Sequence, residues 1–100
     1  MKTLAGWQAE IGAWAVQTFG PGVRFRQHVE HIRRELYELS GEVTDDRVAE
    51  EMADVLSLLL AMAHRRGIDL EAALASKFAV NRKRKWGEPD ADGVIEHVRE

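Results

Sequence analysis

The segment from Thr44 to Arg66 does most to constrain the fold. Its apolar residues recur at helical spacing, and Val55, Leu56, Leu58, Leu59, Leu60 and Met62 together cover most of a helix's circumference. A helix that is apolar nearly all round must be buried on several sides. A chain of 100 residues can hardly supply that many sides, because small domains bury a limited share of their surface. The segment predicts a homodimer or higher oligomer as well as a helix.

The flanking segments also carry a helical period. From Leu4 to Phe19, apolar residues recur at Leu4, Trp7, Ile11 and Trp14, and the two tryptophans read as core. Gly20-Pro21-Gly22 ends that helix, while Gly6 and Gly12 lower its intrinsic propensity. From about Arg24 to Leu39, Phe25, Val29, Ile32, Leu36 and Leu39 form one stripe, with Ser40-Gly41 as the stop. Thr44 is the expected N-cap of the third helix, and Asp45 and Asp46 suit its positive end. Gly67 closes it. Asp69 caps a fourth helix running to about Trp86, where Gly87-Glu88-Pro89-Asp90 breaks it. Val94–Arg99 reads as a short further turn of helix. No strand-like alternation, internal repeat or linker is visible. The expectation is one all-α domain over residues 1–100, an antiparallel helical bundle completed by homo-oligomerisation. Short loops make the second, third and fourth helices antiparallel neighbours.

Composition narrows the function classes. There are no cysteines, which excludes disulfides and thiolate metal sites and permits a cytoplasmic home. No secretory hydrophobic region is readable at the start, and the longest apolar run, Leu58–Ala63, is far too short for a membrane span. The net charge of −3 argues against nucleic-acid binding, despite the basic run Arg82–Lys85. No membrane or nucleic-acid partner is expected.

Two acidic pairs carry the chemistry. Glu35 and Glu38 are spaced i, i+3 on the second helix, and Glu51 and Asp54 on the third. On a helical wheel both pairs fall at the margin of the apolar stripe, with His31 four residues before Glu35. Carboxylates that close to a core need a cation, a proton or a hydrogen-bond partner. An oxygen-only set suits a hard cation such as Mg²⁺ or Mn²⁺, which keeps positions free for phosphate oxygens. Ordinary helix-surface chemistry fits the same spacing, since Arg33, Arg34 and Arg47 are within reach of some of these acids. On the fourth helix, Lys77, Asn81 and Arg84 form a stripe suited to phosphates and a sugar or base edge, with Trp86 beyond it. A solvated basic face near a helix C-terminus fits that stripe too. His28, His31, His64 and His97 lack the spacing of a zinc site.

These residues resemble a known family. His31-Ile-Arg-Arg-Glu35-Leu-Tyr-Glu38-Leu followed by Glu51-Met-Ala-Asp54-Val is similar to the paired-acid signature of the all-α nucleoside triphosphate pyrophosphohydrolases. That superfamily includes MazG proteins, dimeric dUTPases and phosphoribosyl-ATP pyrophosphohydrolases. The element from Lys77 through Asn81 and Arg84 to Trp86 resembles its MazG-like branch. The stretch from Trp14 to Pro21 and the one from Ile95 to Arg99 look like a phage and bacterial subgroup described as dATP/dGTP pyrophosphohydrolase-like. The Gly-Glu-Pro after Trp86 departs from the aromatic-rich tail expected of that subgroup, and the tandem repeat of full-length MazG is absent. The resemblance implies metal ligands at Glu35, Glu38, Glu51 and Asp54, with Glu35 or Glu38 as general base. It implies substrate contacts from Lys77, Asn81, Arg84 and Trp86. It further implies a Mg²⁺-dependent enzyme, with Mn²⁺ as substitute, acting as a homodimer or tetramer. The reaction would be attack of a metal-activated water on a nucleoside triphosphate, yielding monophosphate and diphosphate. The competing reading is a non-catalytic helical module that binds nucleotides or docks a partner.

Overall fold

A computed structural model describes residues 1–99. Four helices follow one another: α1 (Leu4–Phe19), α2 (Phe25–Ser40), α3 (Asp45–Arg65) and α4 (Leu70–Lys83). Each boundary has a chemical cause. The Thr3 hydroxyl accepts from the Gly6 N–H, Thr44 from Arg47 and the Asp69 carboxylate from Ala72, which satisfies donors that a helix start leaves open. At α2 the Gln27 side chain reaches back to accept from the Arg24 N–H at 2.7 Å. Gly20 and Gly67 follow helix ends with φ of 86° and 67°, a region that side chains with a Cβ avoid.

α3 is the centre of the molecule, with α1 packed on one side and α2 on another. The core is small: Ala15, Leu60, Ala61 and Ala63 are its buried hydrophobic residues. α1 approaches α3 along Gly12 and Ala15, both buried, and Gly12 lies directly under the His64 side chain. The glycine that weakened the helix in the sequence is thus where the backbones come close.

Four expectations need correction. α4 packs against α1 rather than beside α2 and α3, and none of its residues is buried. Trp7 and Trp14 are about half exposed, 47% and 56%, because the small residues of α1 take the inward positions. α4 stops at Lys83, before Trp86. Finally, the segment after it is extended, not helical. Trp86 pairs antiparallel with His97, the Gly87 N–H donating to the Glu96 carbonyl at 2.9 Å and the Val98 N–H to the Lys85 carbonyl at 2.7 Å.

The α2 stripe is rotated from the reading of its apolar residues. His28 is buried and Ile32, Glu35 and Leu39 are half-buried toward the bundle, while Phe25, Val29 and Leu36 remain about half exposed. On α3, Met52, Leu56 and Leu59 are likewise open, and on α4, Leu74, Phe78 and Val80. No helix among the described residues is long and apolar enough to cross a membrane.

Candidate functional site

The rotation of α2 places the acids. Glu35 comes from its inward side, Glu38 one turn further along, and Glu51 from the facing side of α3. One carboxylate oxygen from each lies within 4.8 Å of the others. Glu35 Oε2 and Glu51 Oε2 are buried without any hydrogen-bond partner. Buried charged oxygens are costly when unpartnered, so the arrangement asks for a cation or a proton.

Two of the arginines within reach of these groups are engaged elsewhere. Arg33 and Arg34 both bind Glu30, at 2.8 and 3.1 Å, and hold its carboxyl down at about 2 through their hydrogen bonds. Among the described residues the one basic side chain within 4 Å of the cluster is His31, whose Nε2 lies 3.5 Å from Glu35 Oε1. The Glu51 carboxyl is pushed up, first by loss of hydration, then by the close approach of the Glu35 carboxyl and the charges of Glu38 and Asp54. Asp54 thus bears on Glu51 electrostatically while lying outside the tight triad.

The basic element is not brought to the acids within one chain. Lys77 is exposed on α4, and Asn81 and Arg84 are half-buried against the C-terminal segment. Arg84 Nη1 donates to Asn81 Oδ1 at 3.2 Å, and the Trp86 indole N–H to the Asn81 carbonyl at 3.1 Å. No hydrogen bond or ion pair among the described residues joins these four to Glu35, Glu38, Glu51 or Asp54.

Sequence reasoning missed a cleft of about 270 Å³ between α1, α2 and α3. Trp14 and Phe19 form one wall, their rings edge to face with centroids 5.5 Å apart. His28, His31, Leu58 and Arg65 also line it. His31 faces the cleft and Glu35 at once, so cleft and acid cluster adjoin. The aromatic pair was visible in the sequence, but its period matched a core stripe, and only the packing shows it lining an opening.

An apolar cleft beside an oxygen-only cation site suits a ligand with a flat apolar end and a polyanionic end. Known proteins agree. Residues 7–100 match the family model of dATP/dGTP pyrophosphohydrolase. The chain belongs to this family. It is 36% identical over 98 residues to a dATP/dGTP diphosphohydrolase of cyanophage S-2L, covering 96% of this chain and 89% of that protein. It is 38% identical over 96 residues to a dATP/dGTP diphosphohydrolase of Salmonella phage PMBT28, of which it spans only 32%. Its fold matches the cyanophage S-2L MazG-like pyrophosphohydrolase bound to dGDP and three catalytic Mn²⁺ ions per active site, with a TM-score of 0.84 and 32% identity. That match covers 99% of this chain and 96% of the other. The all-α MazG-like architecture expected from the sequence is the one found, and membership makes the chain a pyrophosphohydrolase.

Proposed function

We propose that the chain hydrolyses purine deoxyribonucleoside triphosphates to the monophosphate and diphosphate. The carrying observation is the triad of Glu35, Glu38 and Glu51, with two buried unpartnered oxygens, beside the Trp14–Phe19 cleft. Glu35, Glu38 and Glu51 hold a divalent cation, and Asp54 completes the set. The fit is good: the donors are all carboxylate oxygens, and among the described residues no arginine or lysine pairs with them. When bound, such a cation supplies positive charge against the triphosphate oxygens and makes nearby water more acidic.

The chain's own residues do the rest. The cleft takes the base, with Trp14 and Phe19 offering ring surface and His28 and His31 offering polar edges. Excluding water there strengthens the attraction between the triphosphate and the site. The exposed Glu38 carboxylate, or Glu35, accepts the proton of the attacking water. That water bonds to the α-phosphorus, and the bond to the oxygen bridging the α- and β-phosphates breaks to release diphosphate.

Lys77, Asn81, Arg84 and Trp86 contact the substrate from a second copy of the chain. This reading is supported by the open apolar faces of α3 and α4 and by a basic α4 end opposite in charge to the α2–α3 acids. A homodimer, or a tetramer made of two, covers those faces. The 100 residues then act as one domain in the cytoplasm. The test is a panel of deoxy- and ribonucleoside triphosphates with Mg²⁺ or Mn²⁺, read by phosphorus NMR. Monophosphate and diphosphate should appear, fastest from dATP and dGTP, and Glu38→Ala should abolish them. Binding without turnover would make the chain a nucleotide-binding module instead.

A further inference from the structure

His97 stands outside every role assigned above, yet the fold goes to some length to place it. Arg84 caps α4 with extended backbone, φ −76° and ψ 154°, which turns the chain off the helix axis. The chain then doubles back through a turn in which Asp90 Oδ1 accepts from the Asp92 and Val94 N–H groups at 2.9 and 3.0 Å. The returning strand pairs at Lys85 and Gly87, and this sets His97 beside Arg84 and Trp86. Its ring meets Trp86 edge to face with centroids 6.0 Å apart. Its Nδ1 lies 3.5 Å from Arg84 Nη1.

A guanidinium can only donate, so in a hydrogen bond between the two His97 Nδ1 is the acceptor. Asn81 Oδ1 takes the same nitrogen from the helix side. Arg84 is thus held at Nη1 by two acceptors from two segments. Its Nη2 and Nε make no hydrogen bond among the described residues and keep their donors for a ligand. The open cleft around them, about 540 Å³, is also lined by Lys83, Lys85 and Arg99. An unheld arginine loses rotamer freedom when it binds an anion, and fixing it beforehand removes that loss from the binding step.

We infer that His97 is a positioning residue that orients Arg84 for the triphosphate. This rests on the reading of Arg84 as a phosphate contact. Two substitutions separate acceptor from packing: His97→Phe keeps a ring against Trp86 and loses the acceptor, while His97→Gln keeps an acceptor and loses the ring. Steady-state kinetics with dATP and dGTP should show His97→Phe raising KM about five- to tenfold, the weight of one ordinary hydrogen bond. The kcat should change less than about twofold, because the contact serves binding rather than the transition state alone. His97→Gln should restore most of the KM. In an Arg84→Ala background, His97→Phe should add nothing, since its effect passes through Arg84. An unchanged KM in His97→Phe, or a full additive loss on top of Arg84→Ala, overturns the inference while the phosphate reading stands. If Arg84→Ala itself leaves KM unchanged, the phosphate reading falls and the positioning role falls with it.

Discussion

Glu35 and Glu51 face each other from α2 and α3, each with one carboxylate oxygen buried and without a hydrogen-bond partner. Without a cation this pair is a local defect, and with one it becomes a clamp joining the two helices. Metal should therefore stabilise the fold as well as enable turnover. At about 100 times the dissociation constant, binding contributes about 2.7 kcal/mol of added stability. Thermal melts should rise on addition of Mn²⁺ or Mg²⁺ and fall again with chelator. Glu51→Gln should lose most of that rise. A wild-type melt indifferent to metal would remove the triad from the metal-site reading.

The raised Glu51 carboxyl gives a pH signature. In the folded, metal-free protein the Glu51 carboxyl is raised above its ordinary value, first by loss of hydration. Between the unfolded and folded values the native state binds more protons, so stability falls as pH rises through that window. Glu51→Gln cannot ionise there. In the absence of metal it should melt above wild type at pH 8, and the gap should close as pH falls to the ordinary carboxylate value. Metal should reverse the order at pH 8, because the ion needs the carboxylate.

His28 works in the opposite direction. Burial, then the charge of Arg65, then His31, lower its pKa below 6.5. The folded state disfavours the imidazolium, so the contribution of His28 is whole above 6.5 and is lost as pH falls through the lowered folded value. His28→Gln should flatten the drop in melting temperature between pH 7 and 5. A drop as steep as in wild type would mean that another group titrates there.

Much of the site was legible because helical spacing is a strong constraint. The period of α2 and α3 put Glu35, Glu38 and Glu51 on facing margins, and the structure brings these three together. Capping chemistry at Thr44 and Asp69 located two helix starts. The position of α4 was not legible. Its short connection to α3 suggested a neighbour, but its apolar residues are spread round the axis and leave no single face to dictate a partner. Trp14 misled for a related reason: an aromatic at core spacing looks the same whether it fills a core or lines a cleft. The His97 pairing is formed by backbone hydrogen bonds, which no side-chain period announces.

The cleft can be probed through Trp14. If its ring supports the base, Trp14→Ala should raise KM for dATP and dGTP about tenfold, in keeping with aromatic stacking on a base of about 1–3 kcal/mol. Metal-induced stabilisation should be unchanged, since Trp14 lies in α1 and the acids in α2 and α3. Equal KM values for mutant and wild type would place the base elsewhere.

Gly6 and Gly12 lie in the same helix and should respond oppositely to alanine. A Cβ on Gly6 would meet Thr3 Oγ1 at 3.4 Å and Lys2 carbons at 3.7 and 3.8 Å, which is ordinary contact. Gly6→Ala should therefore gain about 0.5–1 kcal/mol from the lower backbone entropy of the unfolded chain. A Cβ on Gly12 would overlap the His64 side chain, coming within 2.6 Å of its Cδ2 and nearer still to other ring and stem atoms. The propensity gain is the same, but α1 must then move off α3 or His64 must leave its place. Overpacking of that kind costs about 1–3 kcal/mol, so Gly12→Ala should lower stability despite the better helix former. Pairing Gly12→Ala with His64→Ala should recover much of the loss by opening the space the methyl needs. Urea denaturation of the four proteins, read by far-ultraviolet circular dichroism, gives the comparison. If Gly12→Ala stabilised the protein as Gly6→Ala does, the close approach of α1 to α3 at His64 would not exist in solution.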